Sequence, residues 1–286
     1  MRTGIVTSLL VTWIVGAEPA AAAEAQPHCQ LQAVGELPLV GGQMVTEASV
    51  DGRPVKLLID TGAFGTLLFT GEARRLGLFL RPTGAKSYGV GGESDVFSAR
   101  VKEFKLGDMV ERDADLVVAG ETFKGIQGVL GAKFLMQADV EFDLAHGKVR
   151  FFKPKGCAGD EVVYWGAAYS VAPMVGTPRD QILVRVSVNG APIVAQMDTG
   201  ASASVLTPGA AARAGVTVRS AGVVAAGALR GLGRAPVESR VGTFSSFSFG
   251  EETIKNTRLQ IADMFGADKD THINTRIASA VTDQPQ

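Results

Sequence analysis

The chain holds few of the side chains that build metal centres. Among 286 residues there are three histidines (His28, His146, His272) and two cysteines (Cys29, Cys157), widely scattered. A zinc finger, an HExxH helix or an iron–sulfur cluster cannot be assembled from them at the usual spacings, so no metal and no cofactor is expected. Charge of one sign is also lacking: 29 acidic residues against 28 basic leave a net charge of −1, with no basic cluster. The electrostatic footprint of a nucleic-acid-binding protein is therefore missing. Long apolar runs are absent as well. The one stretch of note, Ile5 to Ala17 after Arg2, is interrupted by polar residues and is too short for a comfortable span of about 20 residues.

That stretch reads as an address. A positive start, a short apolar run and small residues around Ala21 to Ala25 are the signature of a secretory signal peptide, residues 1–25. The alternative is an uncleaved anchor. Export implies a periplasmic or secreted protein with no membrane span after cleavage. It also places Cys29 and Cys157 in an oxidising compartment, where an even count favours a bridge over two free thiols. Residues 26 to 40 read either as a short leader or as a strand pairing with the body.

What the chain has in abundance is glycine, 35 residues, and an internal repeat. Residues 43–77 align with 181–215 without a gap at a constant offset of 138, and 14 of the 35 positions are identical. Such self-similarity signals duplication. In each copy a β-branched stretch (Val45 to Val50, Leu183 to Val188) meets a hairpin dipeptide, Asp51-Gly52 or Asn189-Gly190. A second strand (Val55 to Ile59, Ile193 to Met197) then delivers Asp-Thr-Gly, and a short helix ends at Gly77 or Gly215. Glycine-rich tips follow in the same order, at Gly89, Val90, Gly91 and Gly92 and at Gly231, Leu232 and Gly233. Short strands with frequent glycine turns predict an all-β fold of two units, residues 26–155 and 156–286.

One Asp-Thr-Gly triplet is an ordinary turn, in which Asp bonds its own backbone. Two, at matched positions after apolar strands, let a pseudo-twofold axis bring Asp60 and Asp198 together. Paired carboxylates in a partly buried site share one proton; one then acts as base on a water while its protonated partner polarises a carbonyl. Thr61 and Thr199 are suited to locking the two loops through hydroxyl–backbone hydrogen bonds. Gly62 and Gly200 allow close approach of the backbone.

The segments 58–63 and 196–202, Leu-Ile-Asp-Thr-Gly-Ala and Gln-Met-Asp-Thr-Gly-Ala-Ser, resemble the active-site signatures of aspartic proteases. Ala63 and Ala201 after the glycines are closer to retropepsins than to pepsins. The whole is similar to bacterial, exported, retropepsin-like aspartyl proteases with two fused lobes, from about Gln43 onward. The resemblance implies a duplicated β-barrel fold with short helices, Asp60 and Asp198 as the catalytic pair, and the two glycine tips as flaps over an extended peptide or protein substrate. It also implies an apolar-apolar-Gly element beneath each catalytic loop. Gly128 to Gly131 supplies one; after Ala262 the second half offers only Met264-Phe265-Gly266, too early, and a polar tail, so that lobe reads as incomplete. Without a hydroxyl at Ala63 and Ala201, a mildly acidic pH optimum is expected.

The leading function is an aspartic endopeptidase working as a pseudo-symmetric monomer. Two alternatives stand beside it: a non-catalytic module that binds an extended peptide by strand addition, and an enzyme that must homodimerise. Bland readings suffice elsewhere. His146 sits in a turn, His272 in a polar tail, and the alternation of Asp139, Glu141 and Asp143 with apolar residues fits a strand better than a calcium loop.

Overall fold

The computed structural model describes residues 29–121, 125–157, 162–166, 168–175 and 181–264, and the backbone of 275–278. The expected signal peptide, residues 1–25, and His272 lie outside the described residues.

The chain opens with β1 (Gln30–Pro38), so the segment after Cys29 is a strand rather than a leader. The repeated unit begins with β2 (Val45–Val50) and β3 (Arg53–Asp60), an antiparallel hairpin. Asp51 and Gly52 at its turn have φ of 49° and 74°, and Asn189 and Gly190 of the second copy have 50° and 80°. Two successive left-handed residues define the hairpin turn whose twist suits the flanking strands, which is why Asp-Gly and Asn-Gly recur there. Along β3, Val55, Leu57 and Ile59 are buried and alternate with more open positions, the period-two pattern of a strand with one face in a core.

The first half continues through β4 (Leu67–Leu68), α1 (Thr70–Arg75), the hairpin β5 (Arg81–Gly89) and β6 (Gly92–Arg100), and then β7 (Glu103–Leu106), β8 (Met109–Arg112) and β9 (Asp115–Val118). Next come β10 (Gly128–Gly131), the single-turn α2 (Ala132–Leu135) and the closing pair β11 (Asp139–Asp143) and β12 (Lys148–Lys155). A nine-stranded sheet has the order β5-β6-β9-β4-β10-β3-β2-β7-β8, and β1-β12-β11 form a separate three-stranded sheet. Asp139 to Asp143 is thus a strand, and His146 lies in the turn after it, against Asp143.

The second half runs β13 (Met174–Val175), β14 (Leu183–Val188), β15 (Ala191–Asp198), β16 (Val205–Leu206), α3 (Pro208–Arg213), β17 (Val224–Leu229), β18 (Val237–Phe249), β19 (Glu252–Ile261) and β20 (Thr275–Ala278). They form one sheet, β13-β14-β15-β20-β16-β19-β18-β17. Most of the described chain is strand, and the protein has the all-β fold that its pattern of strands and turns suggests.

Strand β20 supplies one of the elements that the second half does not show in its sequence. In the first half β10 runs parallel to β3 and antiparallel to β4. In the second half β20 does the same between β15 and β16, pairing Asp198 with Ala278 where β10 pairs Asp60 with Gly131. The polar tail therefore supplies the strand beneath the second Asp-Thr-Gly loop. Its place is fixed by backbone pairing on both edges, which side-chain hydropathy does not announce.

Each half buries its own core: Val50, Leu57, Ile59, Val118 and Leu130 in the first, Val188, Ala195, Leu206, Phe244 and Ile261 in the second. A fully buried Val, Leu, Ile or Phe side chain contributes about 1.5–3 kcal/mol. Cys29 and Cys157 are joined, tying the start of β1 to the end of β12 across 128 positions of sequence. A bridge closing so long a loop restricts the unfolded chain. We expect its reduction, or serine at both positions, to lower stability by about 2–4 kcal/mol, read as an earlier urea midpoint. An unchanged midpoint would show that β1 is held by its ladder with β12 alone.

Candidate active site

The two Asp-Thr-Gly loops come from the ends of β3 and β15 and meet. Each threonine reaches across. Thr61 Oγ1 donates to the Met197 carbonyl at 2.8 Å and accepts from the Thr199 N–H at 3.0 Å. Thr199 Oγ1 donates to the Ile59 carbonyl at 2.6 Å and accepts from the Thr61 N–H at 3.0 Å. Both threonines are buried, so their hydroxyls supply partners to backbone groups enclosed at the junction. Four reciprocal bonds thus join the halves around a local twofold axis.

The glycines explain the rest of the signature. A Cβ on Gly62 would overlap the carboxyl of Asp198, and one on Gly200 would come within 2.5–2.8 Å of the Asp60 carboxyl. Each carboxyl therefore lies against the other half's loop, and only glycine leaves room for it. The Gly62 N–H donates to Asp60 Oδ1 at 2.7 Å and the Ala63 N–H to the same oxygen at 3.0 Å; the Gly200 N–H donates to Asp198 Oδ1 at 3.0 Å. Asp198 is 2% exposed and Asp60 is half-buried.

Below the first loop, β10 and α2 hold the backbone. The Ala132 N–H donates to the Ala63 carbonyl at 2.8 Å and the Lys133 N–H to the Phe64 carbonyl at 3.0 Å. A Cβ on Gly131 would collide with Gly65, at 2.5 Å from its carbonyl carbon and oxygen. The glycine of the apolar-apolar-Gly element is thus required by contact with the loop it supports.

The glycine tips of the two halves also find one another. The β5–β6 tip, Gly89 to Gly92, meets the loop between β17 and β18: the Gly233 N–H donates to the Val90 carbonyl at 3.0 Å and the Ala235 N–H to the Gly91 carbonyl at 3.1 Å. Leu232 seats against Gly89 and Gly120, and Gly231 against Val90, each at a separation that a Cβ on the glycine would violate. Arg234 Nε holds Glu121 at 2.9 Å. On the hairpin itself, the Lys86 ammonium beside Asp95, helped by Arg234 from the opposite tip, keeps the Asp95 carboxyl below its ordinary range. A group depressed in the folded state gives up its contribution only as the pH falls through that lowered value. The Lys86–Asp95 contact therefore persists in mild acid.

No group of three or more metal-ligating side chains occurs among the described residues. Sequence reasoning passed over Gln196. It is buried on β15 and its Nε2 donates to the Gly62 carbonyl at 3.2 Å. The signal was present, since the repeat places Leu58 at the equivalent position and a lone amide on an apolar strand is unusual.

The model of the aspartyl protease family matches residues 46–134 and 184–275, well over half of the chain and both Asp-Thr-Gly loops. The chain belongs to the aspartyl protease family. Among solved structures, the chain is similar to a retropepsin-like aspartic protease from Rickettsia conorii, with 19% identity over 41% of this chain and 99% of that one, at a TM-score of 0.33. It is similar to the EIAV protease complexed with the inhibitor HBY-793, with 25% identity over 34% and 89% of the two chains and a TM-score of 0.29. An aspartic proteinase from Irpex lacteus covers more, 85% of this chain and 90% of its own, at 16% identity and a TM-score of 0.49. No curated protein matches.

Proposed function

We propose that this family member is an aspartic endopeptidase in which Asp60 and Asp198 form the catalytic pair. The observation that carries the reading is reciprocal: each carboxyl packs against the glycine of the opposite Asp-Thr-Gly loop, while the threonines bind the loops together. Two carboxylates held so close share a single proton. The ionised member takes a proton from the attacking water, and the protonated member donates to the carbonyl oxygen of the scissile amide. The tetrahedral intermediate then collapses with proton transfer to the leaving nitrogen, and neither a covalent enzyme intermediate nor a metal takes part.

The substrate is an extended peptide, covered by the tips at Gly89 to Gly92 and Gly231 to Gly233 acting as flaps. The lobes are residues 26–155 and 156–286, and pairing within one chain supports a monomer. Export is supported by the Cys29–Cys157 bridge and by the leader-like start of the sequence. No helix among the described residues is long and apolar enough to cross a membrane.

The test is inhibition. A statine-type peptide mimics the tetrahedral intermediate, and we expect it to block cleavage of fluorogenic casein at micromolar concentration or below, while EDTA leaves the rate unchanged. Inhibition by the chelator with indifference to the statine would move the activity to another catalytic class.

A further inference from the structure

Gln196 belongs to the second half but its side chain serves the first. Its amide is 1% exposed, and Nε2 lies 3.2 Å from the Gly62 carbonyl oxygen. A carbonyl only accepts, so this contact fixes which end of the amide faces Gly62. The Gly62 carbonyl and the Ala63 N–H belong to one planar peptide unit. That N–H donates to Asp60 Oδ1 at 3.0 Å. A continuous series therefore runs from the Gln196 amide through the 62–63 peptide to the Asp60 carboxyl. Donation to the carbonyl end polarises the peptide and strengthens its N–H as a donor, as occurs along hydrogen-bond chains in a low dielectric. A stronger donor at Oδ1 favours the ionised carboxylate.

Two further facts single out this amide. The equivalent position in the first half is Leu58, which has no donor, so the series has no counterpart from that position toward Asp198. The other end of the amide, Gln196 Oε1, is buried without a hydrogen-bond partner among the described residues. Burying an amide in a core costs more than burying the leucine that the sister strand uses there. Packing alone does not account for retaining it.

We propose that Gln196 is a positioning residue that holds the 62–63 peptide of the opposite lobe so that Asp60 is the ionised member of the pair. The proposal rests on Asp60 and Asp198 being the catalytic pair. Among the described residues, Asp198 is a titratable group of the opposite loop, its carboxyl against Gly62 beside Asp60. Of the elements beside their loops, α2 brings Lys133, and the backbone of β20 places position 276 opposite Gln196 in register.

The experiment compares wild type, Gln196→Leu, the length-preserving Gln196→Met, and Asp60→Asn. Three readings are taken: the pH profile of kcat/KM on fluorogenic casein, the 13C-carboxyl NMR titration of Asp60 (assigned by its loss in Asp60→Asn), and the melting temperature. In both Gln196 variants we expect the Asp60 midpoint and the acid limb of the profile to move up by roughly 0.3–0.5 pH unit. We also expect kcat to fall by about threefold with KM little changed, and the melting temperature to stay level or rise. Asp60 midpoints that superimpose on wild type would overturn the proposal even if activity dropped, since that is the mark of a packing role; so would failure of the Met variant to fold. Full activity in Asp60→Asn would instead remove the catalytic-pair reading, leaving the titration in the Gln196 variants as a separate result.

Discussion

Asparagine at position 60 or 198 is expected to lower kcat/KM for peptide hydrolysis by about 10³-fold or more, with the fold intact. The amide keeps the shape of the carboxyl and an oxygen able to accept from the Gly62 and Ala63 N–H groups at one site, or from Gly200 at the other. It cannot take a proton from water or pass one to a leaving nitrogen. The two single substitutions should be nearly equivalent in rate, and the double variant hardly worse, because the pair acts as a unit. Asparagine also keeps the volume of the site and adds no charge to a pair that already shares one proton. Asp198→Asn, at a site that is 2% exposed, should therefore melt at the wild-type temperature or above it. Kinetics on a fluorogenic peptide, with circular dichroism as a check on folding, measure both. Full activity in either variant would refute a shared proton.

The largest effect on stability is expected at Thr199. Valine fits the same volume but removes the hydroxyl, leaving the Ile59 carbonyl and the Thr61 N–H without the partner each now has. Both groups are enclosed, and an unsatisfied buried polar group costs about 1–3 kcal/mol. The expected loss is thus about 2–6 kcal/mol, a large part of the roughly 5–15 kcal/mol by which domains are stable. Serine, which keeps the hydroxyl, should lose much less. Thr61→Val orphans the Met197 carbonyl and the Thr199 N–H in the same way. The double valine variant should lose less than the sum of the two, since the bonds form one ring. Urea titrations of the three proteins decide it: a Thr199→Val midpoint equal to wild type would mean that these bonds do not hold the halves together.

Much of this architecture is legible in the residues because its rules are local. Asp51-Gly52 and Asn189-Gly190 specify their turns through left-handed φ values, and Val55, Leu57 and Ile59 declare a strand through alternation. Gly128 to Gly131 is legible only through the family resemblance, as an apolar-apolar-Gly element, and in the structure it is a strand with all four residues buried. What escaped the sequence is non-local. Strand β20 is defined by ladders to β15 and β16 rather than by an apolar run. The two glycine tips are evident one at a time, yet nothing in either announces that Gly233 will donate to Val90, more than 140 positions away. Gln196 was hidden for a similar reason: its partner, Gly62, lies in the other copy of the repeat. Duplication makes the shared features easy to see and draws attention away from the position where the copies differ.

Because Cys29 and Cys157 are joined, everything between them is a covalent circle that includes Asp60 but not Asp198. One cut anywhere in the circle leaves a single molecule, still threaded through its own bridge. To part the two acids into separate polypeptides by one cut, the chain must be severed between Cys157 and Asp198. Even then the pieces remain clasped by the threonine ring and the meeting of the tips. The molecule is therefore guarded unevenly against nicking, with a single stretch of some forty residues where a scission can divide Asp60 from Asp198.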